Sequence, residues 1–444
     1  MGELGLGKKI SYALAGVSLN LANLVISQWL LKLYVPSRDE ALVDAVLFSA
    51  IFLLGRITDG IAEPLVGYWT DHHRSRRGRR IPFIAFGLVP AALATLLLWT
   101  PPFPHESHWL NAVYIFIVVQ AFFICWSIVA NPYLSLLPEI TRDGKERVDI
   151  ATMQAGFIML GTVVFAFMGP LKDAFGWASM GMVAGGLTII TFLPTLFAIK
   201  EAPSPDTAPR DEGFSPRLIF DWARTTFHNR PFVIYLSAAA LYWLSLNMLT
   251  LLIPFWIQYV LHEPDSSVAL VMAPFLAANV AFFFVFNALS RRFGKFAMFA
   301  LCLAGTGITM PLLWLTGMVP LSPMAYTQVV MGLAGAFIAG YIMLQPAILA
   351  DIIDHDEKLT GRRREGIYVG MQAIFSKLSM GISIAVASVL MYAGGIEKPT
   401  ELGLKLIMVL GGAVSLAAFL VFLRYPIRER DGKAYFVTGS PSAS

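Results

Sequence analysis

Twelve apolar runs, most of them close to the 20 or so residues that carry a helix across a bilayer, recur at short intervals along the chain. They lie near residues 10–34, 43–70, 81–100, 110–137, 149–171, 177–199, 232–259, 267–290, 296–317, 324–350, 366–394 and 403–424. Backbone in hydrocarbon must satisfy its own hydrogen bonds, so runs of this kind fold as helices. The expected fold class is an all-α polytopic membrane protein with 12 transmembrane helices in two six-helix bundles. Composition agrees: the chain is 57% hydrophobic and 14% charged over 444 residues, with a mean hydropathy of +0.66, which no soluble globular protein needs. The first run follows Lys8 and Lys9 but is too long for a signal-peptide core and lacks a small-residue cleavage site, so it reads as span 1. Cys125 and Cys302 fall inside apolar runs, where buried small hydrophobes are the expected role.

The basic residues sort by loop. Of 33 Lys and Arg, 26 fall in the N-terminus, residues 71–80, 138–148, 200–231, 291–295, 351–365 and the C-terminal stretch from Arg424. The alternate loops hold Arg38, Lys172 and Lys398. By the positive-inside rule the first set is cytoplasmic, with both termini inside. The same asymmetry accounts for the net charge of +4 without a nucleic-acid partner. The expected organisation is a bundle at 1–199, a cytoplasmic linker at 200–231, a second bundle at 232–425 and a cytoplasmic tail at 426–444. The linker opens with EAPSPDTAPRDEGFSP, whose proline and charge content predicts disorder. It continues as RLIFDWARTTFHNR, which reads as a short interfacial helix placing Leu218, Ile219, Trp222 and Phe227 toward lipid headgroups. The halves echo each other in matching order, as a duplicated unit would. SRRGRR (75–80) answers to SRRFGK (290–295), LLPEI (136–140) to ILADI (348–352), and MQAGF (153–157) to MQAIF (371–375).

Charge enters the membrane at one place above all. Within the apolar stretch from Ala50 to Tyr68, Arg56, Asp59 and Glu63 are spaced i, i+3 and i+7, so a helix puts them on one face. Each would cost roughly 2.5–3.5 kcal/mol facing lipid at mid-bilayer, so they face protein or a water-filled path. Such residues mark ion pathways; the alternative is that Arg56 and Lys377 pair with the two acids as buried ion pairs that fix helix packing. Directly after the span comes a dense basic turn, where Asp71, His72 and His73 read as surface rather than as a metal site. No convincing nucleophile, phosphate loop or metal cluster is present, so an enzyme is not expected, nor a cofactor or metal.

Twelve spans, two six-span repeats, a long central loop and basic turns after spans 2 and 8 resemble the major facilitator superfamily. Within it, RITDGIAEPLVG followed by RSRRGRR is similar to the second-span signature of the glycoside-pentoside-hexuronide:cation symporters, the melibiose permease group. ILADIIDHDEKLTGRRREGIYVGMQAIFSK resembles that family's tenth loop and eleventh span. The resemblance implies that Asp59 and Glu63 hold a coupling cation, Na+ or H+, with help from the Ser127 hydroxyl. It implies that Lys377 links cation to solute, with Arg56 a structural counter-ion. It assigns Asp71, Arg76, Arg77, Arg79, Arg80, Arg291 and Arg292 to a cytoplasmic gate, the other reading of the first five being a solvated charge run. One chain that supplies both repeats makes a monomer the expected working unit, in a bacterial-type inner membrane.

The departures bear on cargo. Where that family has an acid on span 1, an acid on span 4 and an arginine on span 5, this chain has Asn20, Ala130 and Gln154. Asparagine and glutamine still hydrogen-bond hydroxyls, so the expected solute-binding residues are Asn20, Asn23, Asn131, Tyr133, Gln154, Gln345 and Gln372. Each taken alone is more often an interhelical hydrogen bond than a ligand. The aromatics Tyr12, Trp126, Tyr133, Trp243, Tyr341 and Tyr368 either stack on sugar faces or pack helices. Ala62 stands where some relatives offer an amide, which weakens a sodium cage, while a carboxylate in low dielectric carries a proton readily. The expected function is cation-coupled symport of a small polar solute, a sugar or glycoside, by alternating access. The alternatives are an amphiphile or lysolipid transporter on the same fold, or a non-transporting membrane receptor.

Overall fold

The computed structural model describes residues 4–37, 39–73, 75, 77–104, 106–141, 144–199, 201, 226–360, 365–392, 398–430 and 433–436. In chain order its helices are α1 (Leu6–Ala13), α2 (Gly16–Tyr34), α3 (Ala45–His72), α4 (Ile81–Leu97), α5 (Trp109–Ile140), α6 (Gly144–Ala166), α7 (Met168–Phe175), α8 (Trp177–Ala198), α9 (Arg230–Tyr259), α10 (Val268–Phe293), α11 (Lys295–Leu312), α12 (Pro323–Thr360), α13 (Glu365–Leu390) and α14 (Glu401–Phe422). Every expected span is helical, and spans 1 and 5 are each split in two, as α1/α2 and α6/α7. Among the described residues eleven helical segments are long and apolar enough to cross a membrane, and α4 is a shorter twelfth. A two-stranded antiparallel ladder, β1 (Ile427–Arg430) against β2 (Lys433–Phe436), occupies part of the stretch expected to be a plain tail. Leu218, Ile219 and Trp222 of the expected interfacial helix lie outside the described residues.

The chain forms two compact units. The first comprises Met1–Gly213 with two later insertions, Glu263–Val268 and Ile396–Lys398; the second comprises Phe214–His262, Ala269–Gly395 and Pro399–Ser444. In the first unit α2 and α6 cross with their backbones almost touching. A Cβ at Gly16 would lie 2.8 Å from the Gln154 carbonyl oxygen, and one at Gly161 would collide with the Val17 carbonyl. That approach lets Asn20 on α2 donate to the Ile158 carbonyl (2.9 Å) and to Thr162 Oγ1 (2.6 Å) on α6. α3 starts at a side-chain cap, Asp44 accepting from the amides of Val46 and Leu47 at 3.0 and 3.1 Å. α4 takes its cap from a distance: Glu201 accepts from the amides of Arg80 (2.8 Å) and Ile81 (3.2 Å). A carboxylate there also suits the positive end of the helix dipole.

In the second unit hydroxyls cross-link helices. Ser379 and Ser383 on α13 donate to the Ala240 and Leu244 carbonyls of α9 at 2.9 and 3.0 Å, and Ser245 donates to the Gly411 carbonyl of α14 at 2.7 Å. Lipid tails are as apolar as leucine, so small residues and polar stitches of this kind hold membrane helices together.

The start of α6 is tied to the N-terminal segment through Glu146. Thr141 Oγ1 (2.5 Å) and the Leu4 amide (2.6 Å) donate to its carboxylate, and Lys9 Nζ stands at 3.2 Å. The Thr141 hydroxyl, then the Leu4 amide, then Lys9 hold this carboxyl below its ordinary range. A depressed folded-state value contributes stability above the unfolded pKa of about 4.3 and loses it as pH falls through the folded value. Glu146→Gln is therefore expected to lower the melting temperature at pH 7, with the gap from wild type closing as pH is taken below about 4. A gap of constant size across that range would contradict the assignment.

Candidate cation and solute site

On α3 the three charged residues share a face, as the spacing requires. Asp59 and Arg56 are each 5% exposed, and Glu63 is half-buried. Arg56 Nη1 stands 3.6 Å from Asp59 Oδ2. Ser127 on α5 donates from Oγ to Asp59 Oδ1 at 2.9 Å. The guanidinium lies over Phe123 (4.7 Å) and Phe52 (5.2 Å), with Asn23 Oδ1 at 3.5 Å from Nη2. These contacts exist because α3 and α5 approach at Gly55, where a Cβ would meet Val119 at 2.5 Å and Phe123 at 2.8 Å. A second rung of the same pair, Thr58 Oγ1 to Gln120 Oε1 at 2.6 Å, sits beside the first.

The backbone adds an oxygen. Pro64 lies inside α3, and proline has no N–H, so the Gly60 carbonyl loses its helical donor one residue after Asp59. Oxygen atoms from a carboxylate, a hydroxyl and a freed carbonyl are the ligand types that suit Na+, and a carboxylate alone suits H+. Among the described residues no group of three or more His, Cys, Asp and Glu forms a transition-metal site.

The expected solute residues divide. Tyr133 is fully buried, stacked on Tyr12 at 4.6 Å, and donates to the Tyr12 carbonyl at 2.6 Å, while Gln154 donates to its oxygen at 3.2 Å. Asn20 is spent between α2 and α6, and Gln372 Oε1 accepts from Tyr235 at 2.6 Å. Asn131 and Gln345 differ: Asn131 Nδ2 and Gln345 Nε2 are buried donors with no partner among the described residues. An unmade bond at a buried donor costs about 1–3 kcal/mol. Of the aromatics, Tyr12, Tyr341 and Tyr368 are as buried as Tyr133, which is packing. Trp126 and Trp243 are half-buried.

Lys377 lies on α13, half-buried, in the second unit. In the expected gate, Arg77 is exposed and Arg79 and Arg80 are half-buried, Arg291 and Arg292 close α10, and Arg76 and the Asp71 side chain lie outside the described residues. The Phe52 and Phe123 rings over Arg56, and the Thr58–Gln120 rung, were not anticipated. An aromatic at i−4 from Arg56 was the available signal for the first.

Neutralising Arg56 alone takes a counter-charge from a buried carboxylate, a change that costs about 3–5 kcal/mol in comparable pairs. Arg56→Met is accordingly expected to melt well below wild type in detergent, and Arg56→Met/Asp59→Asn above Arg56→Met. If the double variant melts no higher than the single, the pair does not carry that energy.

The sequence profile of a family described as MFS/sugar transport protein matches residues 11–429. The isoprimeverose transporter of Lactiplantibacillus pentosus is 23% identical over 399 residues, covering 87% of this chain and 80% of that protein. The chicken (Gallus gallus) sodium-dependent lysophosphatidylcholine symporter 1 is 22% identical over 477 residues, covering 96% and 88%. The crystal structure of the nucleoside transporter NupG superposes with a TM-score of 0.69 at 13% identity, covering 95% of this chain and 98% of that one, a likeness of fold.

Proposed function

We propose, for a chain that belongs to the MFS/sugar transport protein family, a cation-coupled symporter of a sugar or glycoside that works by alternating access. Membership makes it a multi-pass membrane transporter of the major facilitator superfamily and not an enzyme. The observation that carries the reading is the buried Asp59 carboxylate with the Ser127 hydroxyl on one oxygen. Asp59, Ser127 and Glu63 take the coupling cation; Lys377 couples it to solute; Asn131 and Gln345 offer their buried amide N–H groups to solute hydroxyls. The sugar cargo is supported by the family's description and by the isoprimeverose relative. Both termini face the cytoplasm on the charge distribution of the loops, and the working unit is a monomer.

Coupling follows from linkage. Cation and solute must together stabilise a closed state more than either does alone, and each then raises the affinity of the other by the same factor. A lysolipid or other amphiphile as cargo is the second reading. It is favoured by the chicken relative and by the absence of charge at Asn20, Ala130 and Gln154.

Purified protein in vesicles, given a panel of mono- and disaccharides and a lysophospholipid under imposed Na+ or H+ gradients, separates the readings. Uphill sugar accumulation is expected from wild type and none from Asp59→Asn. Ser127→Ala is expected to weaken the apparent cation affinity about tenfold, the equivalent of the roughly 1.5 kcal/mol of one bond to a charged group. Uptake of the lysophospholipid alone would replace the sugar reading, and no gradient-driven uptake of either would leave a receptor.

A further inference from the structure

Each unit contains the same polar tie, and the two complete it differently. The register of the sequence echoes sets Tyr133 against Gln345 and Gln154 against Gln372. Tyr12 and Tyr235 meet these residues from the first helix of each half. In the first unit every member is bonded: Tyr12 donates to the Tyr133 carbonyl (3.2 Å), and Tyr133 donates to the Tyr12 carbonyl (2.6 Å) and accepts from Gln154 Nε2 (3.2 Å). In the second, Tyr235 donates to Gln372 Oε1 (2.6 Å) and reaches the Gln345 carbonyl oxygen (3.5 Å), while Gln345 Nε2 meets no partner among the described residues. Eight residues beyond each tyrosine stand Asn20 and Trp243. Asn20 gives its amide to α6, whereas Trp243 Nε1 is buried with no partner among the described residues.

A third donor belongs to the same cluster. Tyr341 precedes Gln345 by about one turn of α12, and its ring is held by Tyr242 (3.9 Å), Phe299 (5.0 Å) and, edge-on, Trp243 (6.2 Å). The ring packs, but the hydroxyl is buried with no partner among the described residues. Tyr242 beside it shows the contrast, its hydroxyl sharing a bond with Thr306 Oγ1 at 2.9 Å. Trp243, Tyr341 and Gln345 all belong to the second unit. The indole and amide N–H groups only donate, and of the three atoms the tyrosine oxygen alone can also accept. What this cluster lacks is acceptor oxygens. Tyr341 and Gln345 are buried and Trp243 is half-buried, so the indole is the member with open surface.

We propose, on the sugar-symporter reading above, that Trp243, Tyr341 and Gln345 are the donors by which the second unit recognises the solute, and that the solute they fit is a glycoside. The ring and bridging oxygens of a glycoside accept hydrogen bonds and donate none, which matches a set made almost wholly of donors. A free sugar puts an anomeric hydroxyl in place of the bridging oxygen, and its proton needs an acceptor that this set offers only at Tyr341. The indole gives its apolar face to the C–H side of a pyranose ring. Solute specificity then resides in the second unit, because the matching positions of the first, Asn20, Tyr133 and Gln154, are spent on holding helices together.

Two measurements on the purified full-length protein test the donor set. Without solute, Tyr341→Phe and Gln345→Met remove a donor that bonds nothing in the protein, so both are expected to melt at or above wild type. Tyr133→Phe, which breaks made bonds, is expected to melt lower. A fall in both second-unit variants as large as that of Tyr133→Phe would overturn the proposal, since their donors would then be bonded at rest. Calorimetric titration with the methyl β-glycosides of glucose, galactose and xylose, and with the free sugars, supplies the second measurement. Wild type is expected to bind at least one glycoside, and more tightly than its parent sugar. Tyr341→Phe, Gln345→Met and Trp243→Phe are each expected to weaken that binding about two- to tenfold, the range for one lost neutral hydrogen bond. Equal affinity in wild type and all three variants overturns the donor set and leaves the symporter reading standing. A free sugar bound more tightly than its glycoside overturns the glycoside assignment. If wild type binds none of these sugars, the sugar reading and the donor set fall together.

Discussion

A carboxylate inside a membrane span has to be compensated, and the first unit is arranged around compensating Asp59. On the insertion scale a charge at mid-bilayer costs roughly 2.5–3.5 kcal/mol, and a hydrogen bond to an ionised group returns about 1.5–3 kcal/mol. The Ser127 bond is therefore of the same order as the cost. Arg56 supplies the opposite charge, and Phe52 and Phe123 cover its guanidinium. For all of this, α5 has to lie close against α3, which Gly55 permits. A bulkier residue at 55 would press on Val119 first and then on Phe123, both on the helix that carries Ser127.

The same logic distinguishes polar residues that pack from those that wait. Asn20, Tyr133, Gln154 and Gln372 have their bonds made inside the protein, so they fix helix crossings. Asn131 and Gln345 keep a buried N–H unmade among the described residues. With neutral amides in place of the charged groups that Asn20 and Gln154 replace, recognition of the solute rests on hydrogen bonds, each of modest net worth at about 0.5–1.5 kcal/mol.

How much was legible in the sequence depended on the range of the interaction. The spans could be read because hydropathy and length are local properties, and the faces of α3 because helical periodicity is fixed. Breaks at Leu14–Ala15 and at Phe167 could not be, since both sequences continue apolar and only packing shows that α1/α2 and α6/α7 are separate helices. Asp59, Glu63 and Arg56 stood out as charge in an apolar run, but the assignment of Ser127 needed resemblance, because nothing local tells which serine of α5 faces α3. Tyr133 shows the limit of composition: a tyrosine in a span looks the same whether it meets a sugar or, as here, the Tyr12 ring and carbonyl.

The central claim is that Asp59 holds an exchangeable cation whose binding is linked to that of solute. Solute affinity of the purified protein, measured with Na+ and pH varied separately in wild type and in Asp59→Asn, tests it most directly. The account predicts that wild-type affinity rises with one of the two cations and that the Asp59→Asn affinity is flat in both. An equal cation dependence in the two proteins, or none in wild type, would contradict it.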